Sequence, residues 1–287
     1  MNTEQQRRNR YQVQKRRRRR RCIQRAFKIC LAMILTGVII AAVIWYDRAD
    51  LRIPTGQTGQ NTLADTADYG QTSGWAEAQD GLEYPESLLE LLELNPEAES
   101  FVRGYFQNKD KHPEIDLTDE VIQGTIPLFL QWDERWGYET YGSDFLAITG
   151  CGPTCLSMVW CGLSGETDLN PLRMAQYAEQ EGYYVKGAGT AWDLMNYGAE
   201  ELGLTVENIV FDADHILAQL RSGSPIICAM RPGDFTTTGH FIVLTGVDEY
   251  GRIMVCDPNS RNNSEKTWDV EQLIPQIKNL WGYRYEL

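Results

Sequence analysis

Cys151 is the residue of this 287-residue chain best placed for nucleophilic chemistry. It stands between Gly150 and Gly152, and the apolar spacing that follows predicts a helix beginning at the cysteine. Pro153 agrees with this interpretation, because proline is tolerated in a first helical turn. The positive end of a helix favours a thiolate over a thiol, so Cys151 is a candidate nucleophile. A buried cysteine on a tight turn is the alternative.

A nucleophilic thiol requires a base, and the chain has only three histidines. His240 follows a loop over residues 233–239 and begins an apolar run that predicts a strand. His112 lies in a polar segment and His215 in a short charged helix, so both are expected at the surface. His240 is therefore the candidate base.

Asp257 is the candidate residue for orienting that base. The midpoint of positions 240 and 257 falls inside a predicted turn over residues 248–251, so the two residues should lie near each other across a hairpin. Pro258 favours extended backbone at Asp257. A carboxylate there can accept an imidazole N–H and select the tautomer. An ordinary Asp-Pro-Asn turn is the alternative.

The sequence predicts neither a metal nor a cofactor. A metal site built from Cys151, Cys155, Cys256 and His240 is an alternative, but Cys-x3-Cys is not a usual zinc spacing. The phosphate-binding pattern GxxxxGK[ST] does not occur in the sequence. Five cysteines follow residue 46, an odd number, which predicts at least one free thiol unless one pairs between chains.

Helical patterns precede strand patterns in the predicted catalytic domain, residues 124–287. Its later helices are predicted near three capping residues, Asn170, Thr190 and Asp212. Its strands are predicted at three apolar runs, 225–230, 240–245 and 252–256. This order favours an α+β fold in which the nucleophile helix packs on an antiparallel sheet. A helical arm is predicted over residues 84–123, with helix starts near Ser87 and Asn95.

The N-terminal region carries the signals of a membrane anchor. Residues 1–28 hold twelve Lys and Arg and one Glu, a net charge of +11, whereas residues 29–287 carry −24. Residues 29–46 are uncharged, long enough to span a bilayer as one transmembrane helix, and end in Trp45 and Tyr46. The positive-inside rule predicts a basic cytoplasmic tail (1–28) and an extracellular catalytic domain. Residues 47–83 are rich in Gly, Thr, Gln, Asp and Ala with few apolar residues, which predicts a flexible linker.

Two alternatives apply to this region. The apolar segment could belong to a cleaved signal peptide, although it is long for one and lacks a convincing cleavage site. The arginine run could bind nucleic acid. Beside a membrane span, a topology signal that also contacts anionic lipid is favoured, so no nucleic-acid partner is expected.

Four segments together resemble a papain-like cysteine peptidase of family 39 type. They are Gln131-Trp132-Asp133-x-Arg135-Trp136, Gly150-Cys151-Gly152-Pro153-Thr154, Gly239-His240-Phe241-Ile242-Val243-Leu244 and Asp257-Pro258-Asn259. That family includes the bacteriocin-processing peptidases that cut after a double glycine. The chain is more similar to its stand-alone, exported members in Gram-positive bacteria. The resemblance extends over residues 83–287.

The resemblance implies a papain-like fold and a role for each matching residue. Cys151 matches the nucleophile, His240 the base and Asp257 the residue that orients it. Gln131 is similar to the glutamine that helps build the oxyanion hole. In the bacteriocin exporters that glutamine lies a few residues before the cysteine, whereas here it lies twenty before. The double-glycine specificity is therefore not carried over, and core packing is the alternative for Gln131.

The expected function is peptide-bond hydrolysis on a peptide or protein substrate. Two alternatives use the same residues. One is an amidase or endopeptidase acting on cell-wall peptide, and the other is an inactive pseudoenzyme that binds peptides or partners in the cleft.

Protease added to intact protoplasts should digest the domain after Asp47 and leave the arginine-rich tail protected, because the positive tail stays inside the cell. Immunoblots against tags at the two ends measure this. Survival of the intact domain would reverse the orientation. Recovery of only a soluble form beginning near residue 50 would indicate a cleaved signal.

Overall fold

In a computed structural model, residues 83–285 form the described part of the chain. The predicted cytoplasmic tail, the transmembrane helix and all of the linker except Glu83 lie outside the described residues. Of the helices in this range, none is both long and apolar enough to cross a bilayer.

The helical arm consists of short helices that follow one another closely. They are α1 (Glu86–Leu94), a 3-10 turn (Pro96–Ala98), α2 (Glu99–Arg103) and α3 (Tyr105–Asn108). Asn95 caps the 3-10 turn by accepting a hydrogen bond from the Glu97 N–H, as its position before a proline predicts. The capping role predicted for Ser87 is wrong, because α1 begins one residue earlier and the Ser87 hydroxyl bonds to Asp144 instead.

The arm packs on the rest of the described chain. Leu88 and Phe101 are buried in a cluster with Leu130 and Trp132. The Phe101 ring stacks on Tyr138 at a centroid distance of 4.2 Å, and the Tyr138 hydroxyl donates to the Phe101 carbonyl at 2.6 Å. Burial of these large side chains stabilises the contact.

The main sheet is antiparallel and has the strand order β5-β10-β6-β7-β8-β9. Its strands are β5 (Leu204–Glu207), β6 (Ile226–Met230), β7 (His240–Val247), β8 (Ile253–Cys256), β9 (Thr267–Trp268) and β10 (Ile277–Tyr285). Two short hairpins precede it, made of β1 (Thr140–Tyr141), β2 (Asp144–Phe145), β3 (Tyr184–Val185) and β4 (Gly189–Thr190). The three predicted strands correspond to β6, β7 and β8.

Helices cover both faces of the sheet, and the antiparallel pairing of all its strands confirms the α+β prediction. The longer ones are α5 (Cys151–Ser164), α6 (Pro171–Gln180) and α8 (Ala213–Arg221). The short ones are α4 (Leu146–Thr149), α7 (Ala199–Glu201), α9 (Arg261–Ser264), α10 (Val270–Leu273), a π-helical turn (Leu194–Gly198) and a 3-10 turn (Ile274–Gln276). Side-chain caps from Asn170 and Asp212 begin α6 and α8, as predicted.

Helix α5 packs on one face of the sheet, against β6 and β7. Leu156 and Val159 are fully buried in one cluster with Ala229 and Val243. The helix ends at Gly165, whose φ of 78° is the left-handed conformation that glycine adopts without strain. The opposite face of the sheet is covered by α8 and α10 in a second cluster.

The capping role predicted for Thr190 is wrong. Thr190 pairs with Tyr184 in the β3–β4 hairpin, and its hydroxyl lies 3.0 Å from the Tyr141 hydroxyl. The helical segment begins after Asp193 and ends near Gly203, the predicted end. Strand pairing and a buried hydroxyl contact thus displace a local capping preference.

Candidate active site

Cys151 is the first residue of α5 and is partly exposed, while most of the helix after it is buried. Helix α4 ends at Thr149. The Gly150 N–H still donates to the Leu146 carbonyl and its carbonyl accepts from the Thr154 N–H, but the helical hydrogen-bond ladder is broken between these two bonds. The N–H groups of Cys151 and Gly152 consequently make no bond to the preceding turn. Two donors are thus available beside the thiol, in line with the orphan N–H groups of a helix start.

Gly152 is required by close packing at this point. A β-carbon on it would lie 2.6 Å from the Thr190 hydroxyl oxygen, closer than atoms can approach. The start of α5 is therefore pressed against β4, and a larger residue at position 152 would displace the cysteine.

His240 and Asp257 form a buried pair. The His240 Nε2 lies 2.7 Å from the Asp257 Oδ1, and their side chains are only 7% and 1% exposed. A carboxylate can only accept, so Nε2 carries the proton of this bond. The prediction that residues 240 and 257 lie near each other is confirmed.

The contact is diagonal across the hairpin, which differs from the predicted arrangement. Val243 pairs with Cys256, and the register shifts between Leu244 and Gly246. This register offsets His240 and Asp257 by two residues. Diagonal neighbours are separated by about 7–8 Å, a gap that an imidazole and a carboxylate can bridge.

Asp257 is held by two further hydrogen bonds to its carboxylate. Its Oδ1 also accepts from the Asn259 N–H at 2.9 Å, and its Oδ2 accepts from the Asn263 Nδ2 at 2.9 Å. The Asn259 bond is the local turn expected of Asp-Pro-Asn, so the turn interpretation and the orienting interpretation hold together. No spacing rule identifies Asn263, because its contact depends on how α9 folds back.

The environment of His240 favours its protonated form. Burial acts to lower the pKa of the imidazole, but the charge and hydrogen bond of Asp257, followed by a hydrogen bond with Cys151, outweigh burial and raise that pKa from 6.5 to about 10. Because Nε2 is bonded to Asp257, Nδ1 is the ring nitrogen left for Cys151.

Gln131 links the segment before α5 to the loop that carries Asp257. Its side-chain Nε2 donates to the Ala147 carbonyl at 2.6 Å, and its backbone N–H donates to the Pro258 carbonyl at 2.7 Å. The second Nε2 proton has only a long contact of 3.4 Å with the Ile148 carbonyl. The Gln131 amide is thus held at the break between α4 and α5.

These four residues line one cleft of about 700 Å³. The structure therefore brings Cys151, His240, Asp257 and Gln131 together, while their catalytic roles stay predictions. Residues 87–97 of the arm and the 233–239 loop supply other parts of the wall. The lining among the described residues includes Glu90 and Asp234 and no Lys or Arg.

The other two histidines do not line the cleft. The side chains of His112 and His215 are 72% and 59% exposed, as expected of surface residues. The five cysteines of residues 83–285 are all free. Within the same range, no three His, Cys, Asp or Glu side chains are grouped so that they could hold a metal ion.

Iodoacetamide should modify Cys151 before the other four cysteines of residues 83–285. Those four are buried, and burial raises the pKa of each thiol: Cys155, Cys161, Cys228 and Cys256. Peptide mass spectrometry after brief exposure measures the order, and the denatured chain, in which all thiols react, is the control. Modification of Cys155 with Cys151 unreacted would remove Cys151 as the candidate nucleophile.

Comparison with known proteins identifies the family of the chain. Residues 124–286 match the Peptidase_C39 like family, which is more than half of the sequence. Curated proteins provide no significant match. The matched range contains the cleft residues Gln131, Cys151, His240 and Asp257. The chain therefore belongs to the Peptidase_C39 like family of papain-like cysteine peptidases.

Proposed function

We propose that the chain is a membrane-anchored, extracytoplasmic cysteine peptidase in which Cys151, His240 and Asp257 form the catalytic triad. The observation that carries the proposal is the buried 2.7 Å bond from His240 to Asp257, in the same cleft that Cys151 lines. Acyl transfer requires a nucleophile beside a base that a third group orients, and Cys151, His240 and Asp257 fill these three roles in the proposal.

In the acylation step, the proton lost by the Cys151 thiol is held on the His240 Nδ1, so the reacting pair is a thiolate and an imidazolium. The thiolate attacks the substrate carbonyl carbon, a C–S bond forms, and the carbonyl π electrons move to oxygen. His240 then gives the proton to the amide nitrogen as the C–N bond breaks. A thioester remains on Cys151 and the amine product leaves.

Deacylation repeats these steps with water. His240 takes a proton from the water molecule, whose oxygen attacks the thioester carbonyl. The C–S bond breaks, the acid product leaves, and the proton returns to Cys151. The buried hydrogen bond from His240 Nε2 to Asp257 keeps the imidazole in one orientation throughout both steps.

The negative oxygen that forms in each step requires nearby donors. The N–H groups of Cys151 and Gly152 and the second Nε2 proton of Gln131 are the candidates, since each lies at the break before α5. Fixed donors at such a position stabilise the transition state more than the substrate.

The membrane part of the proposal rests on the sequence of residues 1–46. An apolar segment preceded by a strongly basic tail favours an anchored catalytic domain outside the cytoplasm. Substrates would then be extracellular peptides, proteins or cell-wall peptide. The acidic groups Glu90 and Asp234 in the cleft favour substrates that carry positive charge.

Full-length chain should cleave members of a peptide library that includes basic peptides and muropeptides. Cys151→Ala and His240→Ala should each lower kcat by at least about 1000-fold, and the double variant should be little worse, because the residues act as a unit. Asp257→Asn should lose less, since an amide oxygen can still accept the imidazole N–H. Mass spectrometry of the products measures turnover, and exposed His112→Ala is the control.

The outcomes separate the alternatives. Cleavage of muropeptides alone would indicate a cell-wall amidase or endopeptidase. Peptide binding without turnover by the unmodified chain would indicate a pseudoenzyme and would overturn the proposal. Additive losses in the Cys151 and His240 variants would show that the two residues do not share a step.

Gln131→Glu should lower kcat by about 100- to 1000-fold with little change in KM, because it replaces a donor with a negative charge facing the developing oxyanion. Cys151 should still react with iodoacetamide. Thermal melting checks the fold, since the substitution also removes the bond to the Ala147 carbonyl. A well-folded variant with near-normal kcat would leave Gln131 with a packing role only.

A further inference from the structure

The helical arm lies outside the residues that match the family and yet forms one wall of the cleft. Residues 87–97 line the cleft on the same side as the loop that follows Asp257. Asn95 is buried there, and its Nδ2 donates to the Asn259 carbonyl at 2.6 Å. The Trp132 Nε1 donates to the same carbonyl at 3.0 Å.

Glu97 makes the most specific of the arm contacts, because its carboxylate caps α9. Its Oε2 accepts from the N–H groups of Arg261 at 2.8 Å and Asn262 at 3.2 Å. Its Oε1 accepts from the Ser260 hydroxyl at 2.5 Å. The Ser260 oxygen in turn accepts from the next N–H, that of Asn263, at 3.0 Å. All three N–H groups of the first turn of α9 are thus bonded.

Helix α9 in turn holds Asp257 from two directions. The Asn263 Nδ2 donates to the Asp257 Oδ2 at 2.9 Å, and the Ser264 hydroxyl oxygen accepts from the Asp257 N–H at 2.9 Å. The helix has four residues, too few to be stable without external contacts. The position of Asp257 therefore depends on what anchors the start of α9.

We propose that Glu97 is a positioning residue of the active site, which anchors α9 so that α9 holds Asp257 against His240. A continuous series of hydrogen bonds leads from the Glu97 carboxylate through the Ser260 hydroxyl, Asn263 and Asp257 to His240. The effect on turnover rests on the proposed peptidase function, whereas the effect on His240 does not.

The Glu97 bonds to the Arg261 and Asn262 N–H groups are exposed, so water can replace them and variants at this position should fold. Water cannot reproduce the fixed position of a covalently held carboxylate. The expected consequence is therefore a loss of alignment rather than a loss of structure.

The experiment compares Glu97→Gln and Glu97→Ala with the matched control Glu99→Gln in the full-length chain. Glu99 lies two residues along the arm and pairs with Arg103 at the surface, away from the cleft. Histidine-selective NMR measures the His240 pKa, and His112 and His215 variants assign the three signals. Kinetics on a cleaved library peptide measure kcat and KM.

Both Glu97 variants should lower the His240 pKa, because Asp257 raises that pKa and a less fixed carboxylate raises it less. Their kcat should fall by about 10- to 100-fold with KM within about twofold, as expected for misalignment of catalytic groups. Glu99→Gln should match the unmodified chain in all three quantities.

An unchanged His240 pKa in folded Glu97→Gln would overturn the proposal, even if kcat fell, because the carboxylate would then act elsewhere in the cleft. An equal loss in Glu99→Gln would also overturn it, as an unspecific charge effect. Where Glu97→Ala fails to fold, Glu97→Gln decides. A lowered His240 pKa in a chain without turnover on any substrate would support the positioning role and contradict the peptidase function.

Discussion

The buried hydrogen bond between His240 and Asp257 is the interaction on which the rest of the site depends. Enclosing a carboxylate that is 1% exposed is unfavourable unless its oxygens are satisfied. Three donors meet this requirement: His240 and Asn259 at one oxygen, and Asn263 at the other. The pair therefore stays in place only if the loop after β8 and helix α9 keep their conformation.

The packing of α5 on the sheet brings the third member of the site to this pair. Cys151 begins α5 and His240 begins β7, so both residues stand at element ends. Leu156 and Val159 bury the helix against the sheet and determine how closely the two ends approach. The break at Gly150 leaves free N–H groups beside the thiol, and Gln131 holds the segment before the break.

The arm extends the site beyond the range that matches the family. Buried side chains such as Leu88 and Phe101 attach the arm, and this attachment places Asn95 and Glu97 against the loop after Asp257. Asn95 and Glu97 also line the cleft, so the arm forms part of its wall and contacts the segment 259–262 that follows Asp257. In a chain that lacked the arm, the Arg261 and Asn262 N–H groups at the start of α9 would lose their bonds to Glu97 and face water.

The amino-acid sequence by itself determined the α+β order of elements and the choice of Cys151, His240 and Asp257 as candidate site residues, because glycines, a helix start and one hairpin are local signals. It missed the diagonal offset of His240 and Asp257, since the strands next to the turn pair about residue 250, as Val247 with Ile253, and the spacing does not specify this register. Only the tertiary structure decided the contacts of Gln131 with Ala147 and of Glu97 with α9. Such bonds join residues 16 to 165 positions apart, and they depend on which buried faces pack together.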